Sequence, residues 1–395
     1  MSTINIEALG LDEGALLLVR RALGELPVGG QLTVQGRAPQ WELHLAAWCR
    51  QQGHDIRLSA TEAVVTRGPW AEGRWLGAMA TGQSELAAGE LPAPEADPAW
   101  GLSARGATVE AGSPPIGFAL RTRDQLWAAT AGELYRQAAA VQWDPQTAID
   151  WDVSFDLPTA IEAAVAQVMT YLVENENAAL VVPARHLGQV HPQYREVQQA
   201  LALQCADEAR HIEVFTRRLG LHGHAPMLST AGGQASLQSL LNTPDFSTAT
   251  FLLSVLGEGS FINLLNFLYE HAPDPVTRQI CRLVARDEAR HVAFGMAHLE
   301  HRLAAQPDYR TQLRGAVEQR HEELAPTAGL NEEVFDALVL LAAGDLTPAA
   351  VARGHAAVQQ LKLDMAAGRK ARLLRLGFEA GDAQRLSDLH TRNFM

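Results

Sequence analysis

One five-residue string occurs twice in this 395-residue chain: Asp207-Glu208-Ala209-Arg210-His211, and further along Asp287-Glu288-Ala289-Arg290-His291. Residues three apart on a helix share a face. Glu208 with His211, and Glu288 with His291, can each present one oxygen and one nitrogen to a common point. A single Glu-x-x-His is a weak signal. An identical pentamer on two helices is a strong one, because it asks the fold to bring those helices side by side around one polar centre.

Apolar periodicity predicts four helices around these strings: about Pro158 to Leu187, Tyr194 to Leu219, Ser247 to Tyr269 and Pro275 to Leu303. The first and second are joined by a short connection near Pro192, the third and fourth by another near Ala272-Pro273-Asp274-Pro275. The polar stretch His222 to Pro244 separates the middle pair. Short, long, short is the connection pattern of a four-helix bundle with one crossover. A preceding helix is expected over Arg121 to Val141, ended by Gln142-Trp143-Asp144-Pro145. Further helices are expected over Tyr309 to Met395, with breaks near Pro326-Thr327-Ala328-Gly329 and Gly344-Asp345-Leu346-Thr347-Pro348.

The other two helices of the bundle each carry a glutamate in phase with the apolar stripe. On the third it is Glu258, aligned with Val255, Ile262 and Leu265 and flanked by Gly257 and Gly259, which leave room for a substrate or oxygen pocket. On the first, Glu176 continues the stripe Val165, Met169, Leu172 and Leu180, while Glu174 falls nearer its edge. Spacing alone leaves both open, because the connection near Pro192 is longer than the one near Pro275 and has room for an extra turn. A carboxylate facing a core is costly unless paired or metal-bound. The opposing view takes the Glu and His residues as a solvated helix face with local ion pairs, but it leaves the identical strings and the core-phase glutamates unexplained.

Residues 1–70 follow a different rhythm. Ile4 to Leu9 is strand-like, Ala15 to Leu26 helical, Gln31 to Val34 a strand, Pro39 to Gln51 helical, and Ile56 to Ser59 and Ala63 to Thr66 two more strands. The order βαβαββ makes a small α/β domain. Residues 71–120, rich in Gly, Ala, Pro and Glu, are expected to be a linker. Residues 121–395 form the helical domain with its C-terminal extension. The overall class is mainly α: a four-helix bundle with extra helices, preceded by a small α/β domain. Every tryptophan lies at or before Trp151, which fits separate modules.

Composition excludes several functions. The formal net charge is -13, so a general nucleic-acid binder, which needs a basic face, is not expected. Only Lys362 and Lys370 are lysines, which limits lysine-based catalysis. Cys49, Cys205 and Cys281 are too few and scattered for a disulfide framework or a Cys-rich zinc site. Met1 to Ala8 shows no signal-peptide pattern, and no stretch is expected to approach the roughly 18 apolar residues that span a bilayer. A cytoplasmic protein without a membrane anchor is the expectation.

The order and spacing of residues 1–68 resemble the TusA-like sulfur-carrier fold. That family's working cysteine opens the first helix, where this chain has Asp12-Glu13-Gly14-Ala15, so a docking or structural role is expected. Residues 121–303 resemble the ferritin-like di-iron carboxylate superfamily, which includes bacterial multicomponent monooxygenases, ribonucleotide reductase small subunits and aldehyde-deformylating oxygenases. The stretch Asp274-Pro275 to Gly295 looks most like the last of these. Glu174-Asn175-Glu176 is similar to that family's Glu-x-Glu, whose second glutamate is the ligand.

The resemblance implies two iron ions, or manganese, held by Glu176, Glu208, His211, Glu258, Glu288 and His291. Glu208 and Glu288 would bridge and carry the catalysis, with Asp207 and Asp287 orienting the histidines. No site for an organic cofactor is expected. Two departures narrow the choice. Phe215 stands where reductase subunits hold a radical tyrosine, and Val284 where N-oxygenases add a third histidine. Nothing in residues 1–118 or 304–395 matches an aldehyde oxygenase, so that substrate is not implied.

The leading expectation is an oxygenase or oxidase acting on a small, largely apolar substrate with dioxygen. The chain has no flavin, NAD or iron–sulfur signature, which implies an external reductase or ferredoxin. No nucleic acid and no membrane partner are expected, and a homodimer is compatible with the resemblance. The alternatives are a non-catalytic metal-binding or peroxide-scavenging protein, and an adaptor whose metal site is structural.

Overall fold

A computed structural model describes residues 2–69, 77–87, 89–325 and 332–390. The expected helix break at residues 326–329 and part of the expected linker fall outside the described residues. The chain divides into two compact units: Met1–Glu85 with Leu102–Ile116, and Leu86–Gly101 with Gly117–Met395.

In the first unit, β1 (Ser2–Asn5), α1 (Leu16–Gly24), β2 (Gln31–Gln35), α2 (Trp41–Gln51), β3 (Asp55–Leu58) and β4 (Glu62–Thr66) follow the expected βαβαββ order. The sheet runs β1-β2-β4-β3. β1 pairs parallel to β2, with Ile4 opposite Val34, and β4 runs antiparallel to both its neighbours. Ile6, Val19, Leu23, Leu32, Val34, Leu45 and Val65 are buried together between sheet and helices. Burying each such side chain stabilises by about 1.5–3 kcal/mol. β1 ends earlier than the expected Leu9. The Glu7 N–H donates to Asn5 Oδ1 at 2.9 Å, and Glu7 takes φ 51°, so the chain turns instead of extending. A two-stranded pairing of β5 (Met79–Ala80) with β6 (Thr108–Val109) adds to this unit, inside the expected linker.

The second unit is helical. Leu86–Gly101 belongs to it, and the Tyr194 hydroxyl donates to the carbonyls of Ala93 and Arg121 at 3.1 and 2.9 Å. α3 spans Ala131–Ala140, much shorter than expected. Residues before it are held extended, because Thr122 bridges Glu95 and Leu120 bridges Val190.

α4 (Thr159–Leu187), α5 (Arg195–Gly220), α7 (Phe246–Glu270) and α8 (Pro275–Ala305) form the bundle. α6 (Ala231–Leu241) lies within the polar stretch His222 to Pro244, where no helix was expected. The Thr230 side chain caps it, accepting from the Gly233 N–H at 3.1 Å. α8 starts where expected: Asp274 accepts from the Thr277 N–H at 2.7 Å, and Pro275 occupies the first turn. α9 (Tyr309–Leu324), α10 (Glu332–Ala343), α11 (Pro348–Arg375) and α12 (Ala380–His390) complete the unit.

Val165, Met169, Leu172, Val214, Phe215, Val255, Leu256, Ile280, Val284 and Leu299 fill the bundle interior. One end of the bundle is locked by charge. The fully buried Arg218 on α5 donates to Glu162 of α4 at 2.6 and 3.0 Å and to Asp274 of α8 at 2.8 Å. Contrary to the sequence expectation, one helix, α7, is long and apolar enough to cross a membrane. It is one of the four bundle helices, and its apolar window is mostly buried inside the fold.

Candidate metal centre

The bundle brings six of the singled-out side chains to one point. Glu176 comes from α4, Glu208 and His211 from α5, Glu258 from α7, and Glu288 and His291 from α8. All are at most 4% exposed. Their donor atoms fall into two overlapping groups, Glu176-Glu208-His211-Glu288 and Glu208-Glu258-Glu288-His291, each with its atoms within 4.8 Å of one another. Glu174 belongs to neither.

The two groups share Glu208 and Glu288. Glu208 sets Oε2 3.1 Å from His211 Nδ1 and Oε1 3.1 Å from His291 Nδ1. Glu288 sets Oε1 3.3 Å from His211 Nδ1 and Oε2 3.3 Å from His291 Nδ1. Each of these carboxylates thus spans both centres. Glu176 faces only the His211 side, with Oε2 at 3.4 Å.

The far side of each imidazole is held by the other pentamer. His211 Nε2 lies 3.3 Å from Asp287 Oδ2, and His291 Nε2 lies 3.3 Å from Asp207 Oδ2. Each Nε2–H donates to an aspartate across the bundle. Burial, the largest single influence, would raise the carboxyls of Asp207 and Asp287, but the hydrogen bonds and charge of the histidines, with Gln142 on Asp207 and Arg210 and Trp143 on Asp287, together hold both below the usual range. Arg210 donates to Asp207 and, at 2.9 Å, to Asp287. Arg290 reaches the same pair. Trp143 Nε1 donates to Asp287 at 2.7 Å, and Gln142 Nε2 to Asp207 at 3.0 Å.

Sequence reasoning expected Asp207 and Asp287 to orient the histidines, and the structure sets them there; it missed the side chains that hold the aspartates. The arginine in each pentamer was their only local signal, and Gln142-Trp143 read only as a helix end. It also missed Gln204, one turn before Glu208, whose Nε2 donates to Glu258 Oε1 at 2.9 Å.

The donor set fits two cations. With each Nε2–H committed to an aspartate, Nδ1 of His211 faces three carboxylate oxygens, a crowd of acceptors that needs a cation or protons between them. Glu176 Oε1 and Glu258 Oε2 are buried without a hydrogen-bond donor, a loss of about 1–3 kcal/mol for each unpaired group. The carboxyls compensate by holding protons. Burial, then Glu208, pushes Glu176 well above its usual range, and burial, then Glu288, does so for Glu258. Burial opposes charge on both histidines, yet the surrounding carboxylates, Glu176 foremost at His211 and Glu208 at His291, raise them. Metal ions would replace those protons.

Glu258 ends a π-helical segment, Phe251–Glu258, inside α7. Such widened turns recur at functional sites. The space expected beside the flanking glycines is taken. A Cβ at Gly259 would sit 2.4 Å from Arg372 Cζ, and Arg372 Nε donates to the Val255 carbonyl at 2.7 Å. At Gly257 a Cβ would sit 3.3 Å from the Leu252 carbonyl oxygen. The glycines admit an arginine and a widened helix turn in place of a substrate. A cavity of about 10 Å³ instead lies among Asn175, Glu176, Ala179, Leu253, Glu258 and Phe261. It suits a water or a diatomic molecule.

The fold is a four-helix bundle with one long crossover. No known protein family and no curated protein matches the sequence. Among solved structures, the chain is similar to a protein from Synechococcus described as having aldehyde deformylating oxidase activity. The TM-score is 0.42 at 18% identity, over 58% of this chain and 96% of that one. It is also similar to a mutant R2-like ligand-binding oxidase with an aerobically reconstituted Mn/Fe cofactor. There the TM-score is 0.45 at 17% identity, over 64% of this chain and 93% of the other.

Proposed function

We propose that the helical unit is a dinuclear metal oxidase or oxygenase that uses dioxygen on a small, largely apolar substrate. The observation that carries this reading is that Glu208 and Glu288 each span both histidines, with four oxygen-to-Nδ1 distances of 3.1 to 3.3 Å. Glu176, Glu208, His211, Glu258, Glu288 and His291 would hold two iron ions, or iron and manganese. Hard carboxylates with one imidazole each favour those metals. Bound there, the metals supply electrons to dioxygen and open coordination positions.

The protein's own residues supply the rest. Asp207 and Asp287 keep a proton on each Nε2, so that each Nδ1 lone pair faces the centre. Gln204 fixes one oxygen of Glu258 and leaves the other free for a cation. Leu253, Phe261 and Ala179 keep bulk water from the small cavity beside Glu176 and Glu258. An external reductase or ferredoxin is the proposed electron source.

Oxygen uptake by Fe(II)-loaded protein tests the reading. Consumption that continues only with an added reductant, and that is lost in Glu208→Ala and Glu288→Ala, is expected. Two bound irons with no oxygen consumption would overturn it.

A further inference from the structure

A cavity lies in the first unit, and nothing in the metal chemistry uses it. Its volume is about 520 Å³, within the range of small-molecule sites. Its walls include Arg20, Trp48, Gln52, His54, Arg67 and Glu110.

His54 is the built element of this wall. It is 8% exposed. Its Nδ1 accepts the Gly68 N–H at 3.0 Å. A backbone N–H can only donate, so Nδ1 carries no proton and Nε2 does. That Nε2–H has no acceptor among the described residues. Trp48 packs beside it, with ring centroids 5.2 Å apart, and gives the cavity a flat apolar face. Arg67 anchors one end of its guanidinium through Nη1 to the Gly24 and Leu26 carbonyls, at 3.1 Å for the first. Its Nε and Nη2 are not used by any described residue. Arg67 is close enough to His54 that, after burial, its charge helps lower the imidazole's affinity for a proton. His54 therefore stays a neutral donor.

Among the described residues, the charges on the wall are Arg20 and Arg67 against Glu110, with His54 neutral, a balance of one positive charge. We propose that this cavity binds a small aromatic monocarboxylate. The carboxylate accepts from Arg67 and the His54 Nε2–H, Arg20 adds charge at the rim, and the ring lies against Trp48. A fixed guanidinium edge beside a second donor suits a carboxylate's paired oxygens. One net charge favours a monoanion over a dianion.

Calorimetric titration of the full-length protein with benzoate tests this, with benzyl alcohol and phenyl phosphate as comparison ligands. Saturable binding of one benzoate, at least tenfold tighter than either comparison, is expected. Arg20 is exposed, so Arg20→Ala should leave the fold intact and weaken benzoate several-fold. Arg67→Lys keeps a donor for the Leu26 carbonyl and should weaken it further. No saturable benzoate binding below about 10 mM, which corresponds to less than about 3 kcal/mol, would overturn the proposal. So would equal affinity for benzyl alcohol, tighter binding of phenyl phosphate, or benzoate binding unchanged in both variants, which would place it elsewhere in the chain.

Discussion

Asp287 Oδ2 stands 3.3 Å from His211 Nε2, on the helix opposite, while Asp207 holds His291 in the same way. The two pentamers therefore complete each other. Each supplies a glutamate that spans both centres, a histidine for one centre, and an aspartate that orients the other's histidine.

Removing one such aspartate should release the imidazole it holds. Asp287→Ala takes away the acceptor for His211 Nε2–H and for Trp143, and leaves Asp207 as the one carboxylate that Arg210 and Arg290 share among the described residues. Metal affinity is expected to fall about 10–100-fold with the helical fold retained. Competition against a metal chelator, with circular dichroism as the folding control, measures it. Unchanged affinity would mean that the cross-bundle pairing does not tune the site.

Glu176 and Glu174 separate by position. Glu176 is 1% exposed and lies 3.4 Å from His211 Nδ1, whereas Glu174 is half-buried and outside the cluster. Glu176→Ala should empty at least one metal position. Glu174→Ala should leave both filled and shift stability within about 0.5 kcal/mol. The reverse pattern in a metal assay would place the ligand half a turn away.

His298 gives the helical unit an acid limit that is independent of the metals. Burial pushes its pKa down to about 4, despite its hydrogen bond to the Trp127 carbonyl. Its unfolded value is near 6.5. Between these values the unfolded chain takes up a proton that the folded one refuses, so stability falls as pH drops from 6.5 toward 4. Metal-free His298→Gln should lose about 2–4 kcal/mol of this pH dependence, at about 1.36 kcal/mol per pKa unit. Denaturant melts at pH 7 and pH 4.5 measure the difference. Parallel pH profiles for the two proteins would contradict it.

Much of the bundle could be read in the sequence because its signals are local. Pro158 and Asp274-Pro275 mark helix starts, and the apolar stripes run for many turns. The i,i+3 spacing puts Glu208 beside His211 whatever the neighbouring helices do. Partners across the bundle depend on distances between helices that no local pattern encodes. The aspartate–histidine exchange, Gln204 against Glu258, and Trp143 against Asp287 all belong to that class. α6 was hidden because Ala231-Gly232-Gly233 looks like coil, and only the Thr230 cap argues otherwise. The glycines around Glu258 suggested an empty space, but Arg372 arrives there from α11, far along the chain.

The most direct test of the account is a count of metal per chain. After anaerobic loading with Fe(II) and removal of excess, elemental analysis should find about two irons per chain. Glu208→Ala and Glu288→Ala, each of which takes an oxygen from both centres, should lose both ions together. One iron or none in the unaltered protein, or two irons kept in either variant, would contradict a shared two-metal centre.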